Sequence, residues 1–349
     1  MENSWEKRWN PFTRKWVIIA ARTAERPWSG NVLEHTEAIL PEHDPSCYLC
    51  AGVTRASGIQ NPQYTEPYAF TNDFGTLSVD APKTSGSGYF SKTSDAYGTC
   101  RVLCYTPRHN QTLADLSHSE LYNVVELWQK EFAMLKTDKS IKNILIFENK
   151  GKVIGVSNPH PHGQIYASNY IPSIVNEELE AMTDYYEEFE ECLMCDWLKH
   201  EQKEETRIVS KNKSFVALVP FFAKHAYEVH IVPKRHILTI EELNDLEKVN
   251  LAAILKTILG AYDALFSMSF PYILMQHNAP VNLSKDKAKP FHFHIEFYPP
   301  MRSPDKLKYM AGFESGGGDY INPIAPEQAA QLLRDAADRY KEKAEHAKK

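Results

Sequence analysis

Ser157-Asn158-Pro159-His160-Pro161-His162-Gly163-Gln164 is the stretch on which the reading of this chain turns. Alternate residues of an extended segment point to the same side. His160, His162 and Gln164 therefore share one face, and Pro161 stiffens the backbone between the two rings. An apolar run, Ile144 to Phe147, precedes the stretch, followed by a loop with Gly151 and Gly155. An imidazole is a usable nucleophile or metal ligand at neutral pH. Two on one face with an amide alongside describe a site; the plainer alternative is a pair of satisfied histidines on a sheet face.

Working outward, the same order of features occurs twice. The first half runs Cys47-x-x-Cys50, then Pro107-Arg108-His109, then a helix opened by Ser117-His118-Ser119-Glu120, then the strand Ile144 to Phe147, then His160-x-His162-x-Gln164. The second half runs Cys192-x-x-Cys195, then Pro233-Lys234-Arg235-His236, then a helix at about Leu243 to Phe266 capped by Thr239 to Glu242. The strand Tyr272 to Met275 and His292-x-His294-x-Glu296 follow. The capping-box signature marks the first helix start, and the recurrence of the whole order reads as internal duplication. Each half is an antiparallel sheet with a long helix, so the class is α+β. The expected division is residues 1–175, carrying the nucleophile, and 176–349, a structural copy with a helical tail from Pro326.

Composition sets the bounds. The chain has 349 residues, of which 43% are hydrophobic and 24% charged, as in a globular protein with a real core. A net charge of −6 offers no basic footprint for nucleic acid. There is no apolar leader at the N-terminus and no uninterrupted membrane-length apolar run, so the expectation is a cytoplasmic protein with no membrane partner. No Walker A, G-x-G-x-x-G or G-x-S-x-G motif is present.

In a large chain without a leader, C-x-x-C pairs point to metal before disulfides. Zinc takes tetrahedral N/S ligands, and one C-x-x-C turn supplies two. The first set is then Cys47, Cys50, His109 and His160; the second is Cys192, Cys195, His236 and His292. Two closed zinc sites per chain are expected, the second open to iron. The alternative is that these cysteines are small buried hydrophobes. With His160 committed to metal, His162 is free to attack phosphorus. Gln164 can donate to a phosphoryl oxygen, and Ser157 with the amides of the 151–157 loop supplies further donors. His200, His225 and His230 receive no role.

This constellation resembles the histidine-triad superfamily and, within it, the galactose-1-phosphate uridylyltransferases. The resemblance covers nearly the whole chain through Arg26-Pro27-Trp28, Phe70-Thr71-Asn72-Asp73-Phe74, Phe147 to Gly151, Ser157 to Gln164, Phe297-Tyr298-Pro299-Pro300 and Glu327-Gln328-Ala329-Ala330. It implies two histidine-triad-like halves, a homodimer, and ping-pong transfer of UMP from UDP-glucose to galactose 1-phosphate through His162. It also implies uridine contacts at Asn72, Asp73 and Phe74, with Ala24 and Arg26 reaching across a dimer interface. Phosphates are expected at Asn149, Ser157 and Gln164, and Lys308, Phe313 and Glu314 at the sugar end. Family members often build a second metal site from a glutamate and three histidines; here the matching positions are Glu178, His277, His294 and Glu296. The cysteine set is favoured over it as the second site. Tyr320 stands where the family usually has glutamine, which bears on the hexose. His294 is the positional twin of His162, with Glu296 in place of the glutamine, and a carboxylate repels phosphate, so the second half reads as the degenerate copy. The competing readings are an ADP- or UDP-sugar phosphorylase or adenylyltransferase using the same histidine, a histidine-triad hydrolase, and a non-catalytic zinc-stapled nucleotide-binding protein.

Overall fold

The computed structural model describes residues 5–20, 39–84, 86 and 88–346. The strands are β1 (Trp5–Asn10), β2 (Lys15–Ala20), β3 (Tyr68–Thr71), β4 (Gly98–Cys104), β5 (Asn143–Lys150), β6 (His162–Ser168), β7 (Ile208–Lys211), β8 (Phe215–Leu218), β9 (Val229–Pro233), β10 (Tyr272–His277), β11 (His294–Tyr298), β12 (Met301–Ser303), β13 (Lys306–Leu307) and β14 (Tyr320–Asn322). The helices are α1 (His118–Leu135), α2 (Ser173–Phe189), α3 (Leu193–Glu204), α4 (Asp245–Phe266), α5 (Lys285–Ala288), α6 (Gly312–Gly317) and α7 (Pro326–His346).

Nine strands form one sheet in the order β3-β4-β6-β5-β10-β11-β9-β8-β7. The sequence β5-β6-β4-β3 on one side is mirrored by β10-β11-β9-β8 on the other. The halves meet edge to edge where β5 pairs antiparallel with β10, so neither leaves an open edge at the join. A smaller sheet, β1-β2-β14, carries the N-terminal hairpin.

The α1 helix begins where the sequence places it. Ser117 caps it, with Glu120 completing the box, and Leu121, Val124, Val125, Trp128, Phe132 and Leu135 supply a buried stripe at helical spacing. The α4 helix differs from expectation at its start. Thr239 makes no cap bond and residues 240–242 form a single 3-10 turn; Asn244 is the N-cap, boxed with Glu247. The asparagine two residues beyond that turn has the free side-chain oxygen that orphan helix amides need. Both helices pack on one face of the sheet and share one core with Ile144, Ile146, Ile165, Leu274, Ile295 and Phe297. The α4 helix has the length and apolarity of a membrane span, and it is here a core helix, packed against α1 and α7.

The opposite face divides in two. Over the second half, Val175 and Met182 of α2 and Leu198 of α3 join Val216, Leu218 and Val232 in a second core. Over the first half, β6 turns His162, Gln164 and Tyr166 outward, each half-buried, while Ile165 and Ala167 are fully buried.

Candidate functional site

Register decides what stands beside His162. Gln164 pairs with Phe147 on β5 and with Val102 on β4, and Cys104 pairs with His162. Asn149 lies two residues beyond Phe147 and so on the same face. Ser157 is exposed on the loop leading into the strand. Gly163 is a packing requirement: a Cβ there would sit 1.9 Å from the Tyr105 hydroxyl oxygen.

The proton on His162 can be placed. Its Nδ1 lies 2.7 Å from the His160 carbonyl oxygen, and a carbonyl only accepts. The proton is therefore on Nδ1 and the Nε2 lone pair is free. Burial lowers the pKa of this ring from its ordinary 6.5, which keeps it neutral and nucleophilic at pH 7.

His160 faces the other way. Its Nε2 donates to the Thr106 carbonyl at 2.9 Å, leaving its Nδ1 lone pair 3.5 Å from the Cys50 sulfur. His109 Nδ1 stands 3.6 Å from the same sulfur. Ligand atoms of Cys47, Cys50, His109 and His160 all lie within 4.8 Å of one another, and all four residues are buried. Burial pushes the Cys50 thiol up to about 11, so its thiolate needs a cation. Zinc fits: bonds of about 2.3 Å to sulfur and 2.05 Å to nitrogen at a tetrahedral angle put S and N about 3.6 Å apart.

The second half repeats this geometry. His292 Nε2 donates to the Pro233 carbonyl at 3.1 Å, and its Nδ1 lies 3.6 Å from the Cys192 sulfur and 3.4 Å from that of Cys195. His236 completes the set, its ligand atom within 4.8 Å of both sulfurs, held by Nε2 donation to the Phe291 carbonyl at 2.8 Å. Cys192 stands at the N-cap of α3 and Cys195 lies in its first turn, so this group brings a helix to the sheet, where the first brings a loop.

The structure also assembles Glu178, His277, His294 and Glu296, all buried, with ligand atoms within 4.8 Å of one another. The sequence sets this group and the cysteine set against each other as alternatives; the structure assembles both. The two sets share no residue, because β11 and its lead-in hand His292 to the cysteines and His294 to the carboxylates. His277 and His294 are register partners on β10 and β11, and Glu178 comes from α2 above them. His230, given no role in the sequence, stands on β9 opposite Glu296. The signal was there as Glu228-Val229-His230, the same alternation as His160-x-His162 and His292-x-His294.

The remaining candidates are more scattered. Asn72, Asp73 and Phe74 form a turn after β3: the Asn72 side chain accepts from the Phe74 amide at 3.0 Å. Asp73 is engaged by Arg55 at 3.2 Å and by the Ser57 amide at 3.1 Å, and Phe74 is exposed. Lys308 pairs with Glu314 and donates to the Ile321 carbonyl, tying α6 to β14, while Phe313 is exposed. No hydrogen bond or ion pair among the described residues joins this group to the His162 segment. Ala24 and Arg26 lie outside the described residues.

The fold and this face define the class of the chain by its architecture: a duplicated antiparallel sheet carrying a paired-histidine strand, with an imidazole beside a side-chain amide. The chain matches the model for the N-terminal domain of galactose-1-phosphate uridyl transferase over residues 1–172 and that for the C-terminal domain over residues 178–345. It is 40% identical to the Thermotoga maritima galactose-1-phosphate uridylyltransferase over 332 residues, covering 95% of this chain and 98% of that protein. Identity to the Haemophilus influenzae enzyme is 38%, covering 97% and 96%. Among solved structures, a uridylyltransferase superposes with a TM-score of 0.78 at 29% identity, covering 96% of this chain and 99% of that one. An Arabidopsis thaliana ADP-glucose phosphorylase with bound ADP-glucose gives 0.77 at 25% identity, covering 95% and 99%. The chain belongs to the galactose-1-phosphate uridylyltransferase family. It is an enzyme of the UDP-glucose–hexose-1-phosphate uridylyltransferase class.

Proposed function

We propose that this chain moves a uridylyl group from UDP-glucose to galactose 1-phosphate through a covalent bond to His162. The observation that carries this is the 2.7 Å contact from His162 Nδ1 to the His160 carbonyl, which leaves Nε2 as the attacking atom. The Nε2 lone pair forms a bond to the α-phosphorus of UDP-glucose, and the bond from that phosphorus to the bridging oxygen breaks. Glucose 1-phosphate leaves as an anion, so no general acid is needed. The positive charge that develops on the ring is met at Nδ1–H by the His160 carbonyl. Gln164 donates to a phosphoryl oxygen as charge builds there, with Ser157 and Asn149 as further donors. In the second stage a phosphate oxygen of galactose 1-phosphate attacks the same phosphorus, the P–N bond breaks, and UDP-galactose departs with His162 neutral again.

Zinc is assigned to Cys47, Cys50, His109 and His160 and to Cys192, Cys195, His236 and His292, where it supplies a closed, structural cross-link. The first set holds His160 so that its carbonyl faces His162. Glu178, His277, His294 and Glu296 are assigned a third, divalent ion from the iron and manganese group, since no sulfur is among the donors. The division near residue 175, the uridine contacts of Asn72, Asp73, Phe74, Ala24 and Arg26, the sugar-end contacts of Lys308, Phe313 and Glu314, a homodimer and a cytoplasmic location complete the reading.

The test is labelling. UDP-glucose carrying a radioactive α-phosphate should leave an acid-labile, base-stable adduct on the protein that is absent from His162→Ala and discharged by galactose 1-phosphate. No adduct on the unmodified protein refutes the reading. The ADP-glucose-bound neighbour favours one second reading, an adenylyl donor, so ADP-glucose is run in parallel; stronger labelling from it would transfer the assignment.

A further inference from the structure

Outside the His162 face and the cysteine sets, the densest group of buried titratable side chains lies on the second-half face of the large sheet. Three carboxylates, Glu178, Glu228 and Glu296, and three imidazoles, His230, His277 and His294, are each at most 6% exposed. They converge because of register: His277 pairs with His294, and Glu296 pairs with His230.

The three rings are not alike, and proton placement separates them. His294 Nδ1 donates to the His292 carbonyl at 2.9 Å, the same device that orients His162. His277 Nδ1 donates to Glu178 at 2.8 Å. Each ring therefore turns an Nε2 lone pair toward Glu296, His294 at 3.4 Å and His277 at 3.7 Å, with the Tyr298 hydroxyl 3.3 Å from His277 Nε2 and its proton given to Glu296. Lone pairs facing an anion repel it, and a cation among them removes the conflict. His230 is reversed. Its Nδ1 meets no protein hydrogen-bond partner among the described residues, whereas its Nε2 lies 3.0 Å from Glu228 Oε1 and 3.2 Å from Glu296 Oε1. A proton on Nδ1 would leave a buried donor unpaired, which is costly. The proton is on Nε2, and His230 is a donor rather than a ligand. Glu228 cannot turn away, because its other oxygen accepts from the amides of Lys224 and His225 at 2.7 and 3.0 Å.

We propose that His230, anchored by Glu228, is a positioning residue for the ion that Glu178, His277, His294 and Glu296 hold. Its Nε2–H separates the carboxylates of Glu228 and Glu296 and holds Oε1 of Glu296, while the Tyr298 hydroxyl donates to Oε2, so the Glu296 carboxylate is presented to the ion in a fixed orientation. Charge sets the ion's valence. Three carboxylates against the ammonium of Lys224, which interacts with Glu178, Glu228 and Glu296, leave two negative charges, which one divalent cation neutralises. This inference rests on the third ion assigned under the proposed function, and the experiment keeps the two apart.

Mn2+ is the probe, because thiolate sites disfavour it and both zinc sets stay loaded. Binding to the full chain is followed by electron paramagnetic resonance alongside elemental zinc. The unmodified protein should bind one Mn2+ and retain two zinc ions. His230→Leu, which removes the donor, should weaken Mn2+ binding about 10–100-fold and alter its spectrum with zinc unchanged. His230→Gln, which returns an N–H, should recover affinity to within about threefold of the original. Should His230→Leu not fold, Glu228→Gln, whose remaining oxygen can still accept the backbone amides, carries the same expectation of weaker binding. Unaltered binding in His230→Leu overturns the proposal. So does loss of a directly bonded nitrogen from the spectrum with no recovery in His230→Gln, which would make His230 a ligand. No Mn2+ uptake by the unmodified protein removes the ion itself and the positioning role with it, a distinct outcome.

Discussion

Gly163→Ala tests how the core holds the nucleophile. Gly163 lies between His162 and Gln164 on β6, with its Cα over Tyr105. A Cβ at this position would stand 1.9 Å from the Tyr105 hydroxyl oxygen, 2.7 Å from its Cζ and 3.0 Å from the Phe147 carbonyl oxygen. Reaching even the 3.0 Å that real Cβ atoms tolerate requires about 1.1 Å of movement. Tyr105 has no room to retreat, since it is fully buried and meets Trp128 edge-on at 6.0 Å. The neighbouring β5 backbone blocks sideways escape, so β6 must lift, carrying His162 and Gln164 with it. Overpacking of this kind costs about 1–3 kcal/mol, and a misplacement near 1 Å costs about 10²-fold in rate. The assay is urea unfolding together with kcat for uridylyl transfer. Adding Tyr105→Ala relieves the clash and should return at least about tenfold of the lost rate, with coupling of about 1 kcal/mol or more in the double-mutant cycle. A Gly163→Ala protein with unchanged stability and unchanged kcat would refute the packing argument. A stability loss with full activity would show that the strand yields somewhere other than at the nucleophile.

Other perturbations separate the remaining parts. Gln164→Ala should lower kcat by about 10²-fold with little effect on unfolding, the cost of one lost donor to a developing oxyanion. Cys50→Ser and Cys192→Ser should each remove one zinc by elemental analysis. The former should also lower kcat at least about tenfold, because its set fixes the His160 carbonyl behind His162; the latter should lower stability and leave kcat within about threefold. Glu327 joins Arg8 at 2.9 Å and Arg207 at 3.0 Å, tying the N-terminal hairpin to α7 and the edge of the sheet. Burial opposes its ionisation, but hydrogen bonds from Arg8 and Arg207 hold its carboxyl below the usual 4.5. With the folded pKa depressed, this stabilisation is present above about pH 4.5 and is lost as pH falls through the folded value. Glu327→Gln should cost about 3 kcal/mol at pH 7, and the gap in urea midpoint from the unmodified protein should narrow at pH 3.5. A gap independent of pH would refute an ionic origin.

The sequence by itself determined whatever is local or periodic. The i, i+2 spacing of His160 and His162 put both rings on one face, and the C-x-x-C turns announced paired thiolates. The Ser117–Glu120 box started α1 to the residue, and the recurrence of order announced two halves. Tertiary structure decided what depends on partners distant in the chain. Hydrogen bonding between β5 and β10 merges the halves into one nine-stranded sheet, a pairing that periodicity does not encode. The backbone carbonyl that orients His162 becomes its acceptor only once the strand is formed, and the twin bond at His294 follows from the same local geometry. A choice between two metal sets in the second half looked forced in one dimension, because His292 and His294 are nearly adjacent. Register removes the conflict: Glu178 arrives from α2, His277 from β10 and His230 from β9, and only the folded sheet shows that the strand and its lead-in place His292 and His294 in two separate clusters.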